Sequence, residues 1–155
     1  MGETKLTIEE VKAHEAELVF TAFTNDTALE LGNKLIELAR AQDAHVTIDI
    51  TRHGQQLFHY SFAGTGPDND EWVKRKNRVV HRFNKSSLRV GLELAEEEKS
   101  IEDRYFVDSF DYSPFGGAVP ITIKNVGVVG TVTVSGLTQH EDHALVVEGM
   151  RNVLR

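Results

Sequence analysis

The stretch from Gly116 to Met150, GGAVPITIKNVGVVGTVTVSGLTQHEDHALVVEGM, fixes the order of three elements. Val119, Ile121 and Ile123, and then Val128, Val132 and Val134, are spaced as a strand buries one face, and Asn125-Val126-Gly127 supplies the turn between them. Gly130 marks an irregularity in the second strand. Thr138 and Glu141 have capping-box spacing, so a helix opens directly after the Ser135-Gly136-Leu137 turn. A hairpin running straight into a capped helix calls for a sheet on which that helix can lie.

The rest of the chain repeats this alternation. Thr7-Ile8-Glu9-Glu10 also has capping-box spacing and opens a short helix. Glu17 to Phe23, ELVFTAF, reads as a strand. From Asn25, a natural N-cap, Ala28, Leu31, Leu35, Leu38 and Ala39 recur at helical spacing to about Gln42, and Gly32 beside that stripe predicts close packing against a sheet. Val46, Ile48 and Ile50 alternate with Thr47, Asp49 and Thr51 as a half-buried strand, which His53-Gly54-Gln55 turns back into Leu57 to Phe62. After the breaker segment Ala63 to Asn69, a helix starts near Asp68 or Asn69 with Trp72, Val73, Val79, Val80 and Phe83 as its buried stripe. Leu88, Leu92 and Ala95 mark another helix, which ends in the solvated run Glu96-Glu97-Glu98-Lys99 and gives way to a loop. Helices interleaved with hairpins predict an α+β fold, an antiparallel sheet covered by helices.

Composition narrows the function classes. At 155 residues the chain suits a single domain, 1–155, able to bury roughly 70% of its unfolded surface. No apolar run approaches the roughly 18 residues of a membrane helix. The N-terminal sequence carries no apolar leader, so the expected compartment is the cytoplasm. With no cysteine, any ligand to a metal or haem must come from other side chains. A net charge of −7 opposes binding to nucleic acid or anionic membranes.

No nucleophile elbow, phosphate loop, zinc-protease helix or dinucleotide fingerprint is present, so spacing alone assigns no catalytic residue and no metal site. Four features carry chemistry. His140 and His143 lie one helical turn apart and can project from one face, as a ligand pair or as ordinary helix residues. The Ser135-Gly136-Leu137 turn offers backbone N–H groups to a carboxylate or phosphate, for which Glu141 and Asp142 compete. Lys76 falls between Trp72 and Val79 on an apolar stripe, where an ammonium needs a partner; Asp49 is one candidate. His53, His59 and His81 are single imidazoles with surface or satisfied core roles. Finally, Tyr105, Phe106, Phe110, Tyr112 and Phe115 place five of the chain's twelve aromatics in one segment, an expected oligomer contact with Phe110 and Phe115 as anchors, or a pocket lid.

Two blocks resemble a known family: Gly116 to Met150, and VTIDITRHGQQLFHYSFAGTGPDNDEWVKRKNRVVHRFNKSS from Val46 to Ser87. The order VSGL-x-Q-x-EDH after PI-x-I-x-x-VGVVG is similar to the haem-degrading-domain (HbpS/GlcG-like) family, in its small single-domain branch. The resemblance covers about half the chain. It implies a profilin-like sandwich, a homo-oligomer and a haem or small-ligand site, with slow oxidative haem degradation as the enzymatic expectation and an axial histidine among the residues above. The competing expectation is a non-catalytic assembly or adaptor module sharing only the fold.

Overall fold

The computed structural model describes residues 5–154. Six helices and five strands alternate: α1 (Ile8–Glu17), β1 (Val19–Phe20), α2 (Asn25–Ala41), β2 (Thr47–Arg52), β3 (Gln55–Ser61), α3 (Pro67–Phe83), α4 (Ser87–Glu96), α5 (Ile101–Tyr105), β4 (Ala118–Ile123), β5 (Gly127–Ser135) and α6 (Gln139–Val153). The strands form one sheet in the order β1-β4-β5-β2-β3. Both expected hairpins are present: β2 with β3 and β4 with β5 pair antiparallel, and β5 pairs antiparallel with β2 between them. The register slips where Ile121 faces Gly130 but Thr122 faces Val128, which leaves Val129 as the extra residue of a bulge beside the glycine.

One pairing departs from the expected antiparallel sheet. The segment read as a strand over Glu17 to Phe23 pairs over two residues only, and it runs parallel to β4, with Val19 opposite Thr122 and Phe20 opposite Ile123. An edge strand this short contributes too little alternation for its direction to be read locally.

Helices α2 and α6 cover one face. Leu31 and Leu35 of α2 and Val146 and Met150 of α6 meet Ile48, Ile50, Val132 and Val134 from the sheet, all at or near complete burial. Gly32 makes this approach possible, since a Cβ there would lie 2.4 Å from the Phe58 ring on β3. The other face is covered by α3 and is polar: Thr47, Asp49, Thr131, Thr133 and Ser135 are all buried. Asn77 of α3 bridges this layer, donating to Asp49 Oδ2 at 3.3 Å and accepting from Thr133. The strand expected to be half-buried is thus buried on both faces, because its polar side is roofed by a helix that supplies hydrogen-bond partners. A smaller apolar cluster, Val79, Val90, Leu94, Ile101 and Val107, joins α3, α4 and α5.

Helix starts follow side-chain chemistry. Thr7 and Thr138 cap α1 and α6 in capping boxes with Glu10 and Glu141, as their spacing predicts. Thr24 rather than Asn25 caps α2, with Thr27 as its reciprocal partner. Helix α3 begins at Pro67, earlier than expected, because proline is pre-shaped for a first helical position and Asn69 reaches back to the Gly66 N–H at 3.0 Å. Helix α5 stands where a loop was expected, capped by Ser100. Among the described residues no helix is long and apolar enough to cross a membrane.

Candidate functional site

The N-terminus of α6 meets the polar face of the sheet beside α3, and a cleft of about 270 Å³ opens there. Lys76 forms its floor, with its side chain only 5% exposed. The ammonium donates to Asp142 Oδ2 at 3.2 Å and to the Val134 carbonyl at 3.4 Å. The expected partner is therefore present, but it is Asp142; Asp49 is taken up by Thr51, Gln56 and Asn77. Asp142 also accepts the Leu137 N–H at 2.9 Å through its other oxygen. The turn's donor thus receives a carboxylate of the chain itself. Gly136 adopts φ 150°, and a Cβ there would come within 2.8 Å of the His45 carbonyl oxygen, so this turn requires glycine.

Burial sets the electrostatics of the pair. It pushes the Asp142 carboxyl up to about 6, with the Lys76 ammonium and the Leu137 and Gly136 N–H groups pulling the other way. Burial also lowers Lys76 from the usual ammonium range, and Asp142 opposes that. Both shifts mean that a charge pair in a dry floor is held by mutual contact at the expense of hydration.

Around this floor stand polar and aromatic walls. Asn69 donates to Ser135 Oγ at 3.4 Å, and Gln139 Oε1 accepts the Gly116 N–H at 3.0 Å. Trp72 and Phe115 meet edge to face at 6.0 Å, and the Arg75 guanidinium lies 4.8 Å from the Trp72 ring centre. Lys76, Ser135 and Gly136, singled out in the sequence, thus come together. No spacing in the chain marks Asn69 and Gln139 as joining them. Trp72 reads as a core residue and Phe115 as an interface anchor, yet both line this cleft.

His140 and His143 do not line it. Both are buried, His143 against α1 and His140 against Leu6 just before it. His140 Nδ1 accepts the Leu6 N–H at 3.0 Å, and His143 Nε2 lies 3.1 Å from His14 Nδ1. Burial, with His14 and His140 nearby, holds His143 down at about 3. The two imidazoles share a helix face as expected, but that face is occupied by protein.

The remaining histidines are dispersed. His53 sits in the β2–β3 turn and His81 is exposed on α3. His59 lies between Asp49 and Asp70, 3.7 and 3.3 Å from their oxygens, at a second, more polar cleft. Among the described residues no group of three His, Asp or Glu side chains is arranged to hold a metal ion.

This arrangement, a sheet with a ligand-sized cleft at the start of its last helix, was compared with known proteins. The family model described as haem degrading protein HbpS-like matches residues 23–151. The chain belongs to the HbpS-like family. Within it, the chain is 48% identical to a UPF0303 protein of Streptomyces coelicolor, over 97% of this chain and 96% of that one. Among solved structures, the HbpS-like fold is shared with the Ybr137w protein at a TM-score of 0.87 and 32% identity, covering 95% of this chain and 87% of that one. It is also shared with the protein of a PduOC:heme complex at a TM-score of 0.68 and 13% identity, covering 88% and 96%. Every residue of the cleft falls inside the matched span, whereas α1 precedes it.

Proposed function

We propose that this HbpS-like chain is a binding protein for a compact amphiphilic acid, held in the cleft between α3 and the start of α6. The observation that carries this reading is the Lys76–Asp142 pair at the floor of a cleft with one aromatic wall. A ligand carboxylate entering there meets the Lys76 ammonium and the Asn69, Ser135 and Gln139 side chains, while its apolar body lies on Trp72, Phe115 and Leu137. The lining is more polar than that of most small-molecule sites, which suits an acid with a small apolar body rather than a large apolar ligand. A second carboxylate beside Asp142 raises that residue's affinity for a proton, so binding takes up a proton and strengthens as pH falls towards about 6, levelling off below it where the free carboxyl is already protonated.

Haem is the ligand towards which the family and the PduOC:heme complex point. The residues of the cleft fit the carboxylate edge of such a group through Lys76. They do not fit its iron, since no imidazole lines the cleft and His140 and His143 face α1. The volume, about 270 Å³, lies just below the range in which drug-sized ligands are enclosed. This reading therefore assigns binding, with no haem-degrading step and no catalytic residue.

Trp72 is the only tryptophan in the chain, so its fluorescence reports on this cleft alone. Titration with 3-phenylpropionate, an amphiphilic acid whose ring does not absorb where tryptophan is selectively excited, and with hemin, each at pH 5.5 and 7.5, tests the proposal. Saturable quenching that is stronger at pH 5.5 and is lost in Lys76→Met supports it. Saturable binding that Lys76→Met leaves unchanged overturns it, and a Soret shift abolished by His143→Ala would restore the axial-histidine reading.

A further inference from the structure

Lys76 is a primary amine kept from water at the floor of a cleft that a ligand can enter. Its side chain is 5% exposed, whereas that of Lys74, on the same helix, is 60% exposed and paired with Glu71 at 3.5 Å. Gly117 makes room for the buried amine. At φ 142°, a Cβ there would lie 2.7 Å from Lys76 Nζ and 2.5 Å from the Val134 carbonyl oxygen, so any side chain at this position would displace the ammonium. Of the three N–H groups an ammonium carries, two are spent on Asp142 and the Val134 carbonyl, which leaves one for a ligand.

Asp142 is placed to exchange a proton with this amine. Its Oδ1 is held by the Leu137 N–H at 2.9 Å, so Oδ2, 3.2 Å from Nζ, is the oxygen that faces the lysine. Burial lowers Lys76 and raises Asp142, which narrows the gap between the ammonium–carboxylate pair and its amine–carboxylic acid form. A desolvated amine beside a proton acceptor is the arrangement in which lysine attacks carbonyl carbon.

The neighbouring groups narrow the choice of carbonyl. Gln139 Oε1 is committed to the Gly116 N–H and Ser135 Oγ accepts from the Asn69 amide, so what these two offer a ligand are N–H and O–H donors. Donors beside the amine suit a carboxylate, and Trp72 with Phe115 suits an apolar body. A carbonyl directly next to a carboxylate, as in a 2-oxo acid, meets both demands.

We infer that Lys76 condenses with the carbonyl group of a 2-oxo acid bearing an apolar side chain, forming an imine in the cleft. This rests on the reading of the cleft as an acid-binding site and adds a covalent step to it. Nζ passes a proton to Asp142 Oδ2, and its freed lone pair forms a C–N bond to the carbonyl carbon. The C=O π pair moves to the oxygen, which takes the proton back from Asp142. The nitrogen gives Asp142 a second proton, Asp142 delivers it to the new hydroxyl, and water leaves as the nitrogen lone pair closes the C=N bond. One water is released and nothing is oxidised or reduced. The site ends as it began, with a cation beside a carboxylate, so no uncompensated charge is left buried.

Reductive trapping tests it. The full chain is incubated with phenylpyruvate and sodium cyanoborohydride near neutral pH, and the intact mass and a peptide map are followed over time. One reduced adduct per chain should form, on Lys76, about tenfold or more ahead of any on Lys74. Lys76→Arg, which keeps a cation but offers no such amine, should lose that adduct; if the variant does not fold, the wild-type map decides alone. No adduct on Lys76, or label spread evenly over the exposed lysines, overturns the inference. If Trp72 quenching by 3-phenylpropionate persists in that case, the binding reading stands without the covalent step; if quenching is absent too, both fall.

Discussion

His14 of α1 and His143 of α6 stack with their ring centres 5.3 Å apart and a nitrogen of each 3.1 Å from the other. His143 Nδ1, on the far side, is buried without a partner. Burial lowers His14 too, helped by Arg151 and opposed by Glu17, Glu10 and Glu15. The contact that docks α1 is thus made by imidazoles kept neutral, and its stabilising effect depends on their staying so.

Acidification should loosen α1 before it unfolds the sheet. Both imidazoles have folded values below 6.5, so the docked state is fully favoured above that pH and loses ground as pH falls towards about 3, where His143 itself titrates. At pH 5 the buried His143 alone disfavours docking by about 2 kcal/mol. Asp142 acts in the opposite sense: its value is raised from 3.8 to about 6, so its charge costs the folded state above about pH 6 and that cost declines as pH falls from there to 3.8. Amide exchange in α1, corrected for intrinsic rates, separates the two effects. It should quicken more than tenfold between pH 7.5 and 5 in the wild type, with a smaller change in a His14→Gln, His143→Gln variant. Equal protection at both pH values would contradict this account.

Removing the cleft's ammonium should cost stability in a pH-dependent way. Lys76→Met leaves Asp142 buried without its cation, and the expected loss at pH 8 is about 1–3 kcal/mol by urea unfolding. Near pH 5 the loss should shrink, since Asp142 is then largely neutral with or without Lys76. A cost that does not change with pH would place the ammonium's contribution in packing alone.

The cap of α6 should prove separable from the cleft. Thr138 Oγ1 donates to Glu141 Oε1 at 2.7 Å and accepts from the Glu141 N–H at 3.4 Å, outside the cleft lining. Thr138→Ala is expected to cost roughly 1 kcal/mol and to leave Trp72 quenching by 3-phenylpropionate intact. Loss of binding in a folded Thr138→Ala protein would show that the cap positions Asp142.

Gly32→Ala should destabilise by about 1–3 kcal/mol, because the added methyl falls within 2.4 Å of the Phe58 ring and must displace it. A second substitution, Phe58→Leu, should recover part of that loss in thermal unfolding. An unchanged melting temperature in the single variant would mean that the ring moves aside freely.

Much of this molecule is legible in the sequence where physics is local. Capping boxes at Thr7 and Thr138, the β2–β3 and β4–β5 hairpins, the bulge at Gly130 and the stripe of α2 all follow from spacing over a few residues. Lys76 stands out because an ammonium on an apolar stripe needs an answer, but the residue that answers it is sixty-six positions away in the chain. Asp49 is the candidate that the sequence reading names, and only the laying of α6 against the sheet brings Asp142 to the ammonium instead. The histidine pair is kept out of the cleft for the same reason: periodicity places both rings on one face, and only the packing of α1 and the residue Leu6 before it fills that face. Phe115 and Phe110 read alike, as aromatics in one segment, and are separated only by the turn that sends one ring to Trp72 and leaves the other in solvent.

The parallel pairing of β1 with β4 sets a sequence of events for the growing chain. Val19 and Phe20 leave the ribosome early, while Thr122 and Ile123, their partners, follow about a hundred residues later. No hairpin can bring the two together, so this edge depends on the rest of the sheet to hold β4 in place. Until β4 is made Phe20, buried in the finished protein, has no native neighbour on it. Of all the strand pairings in the sheet this one spans the longest stretch of chain, so the edge that holds Phe20 carries the largest loop-closure cost in the fold.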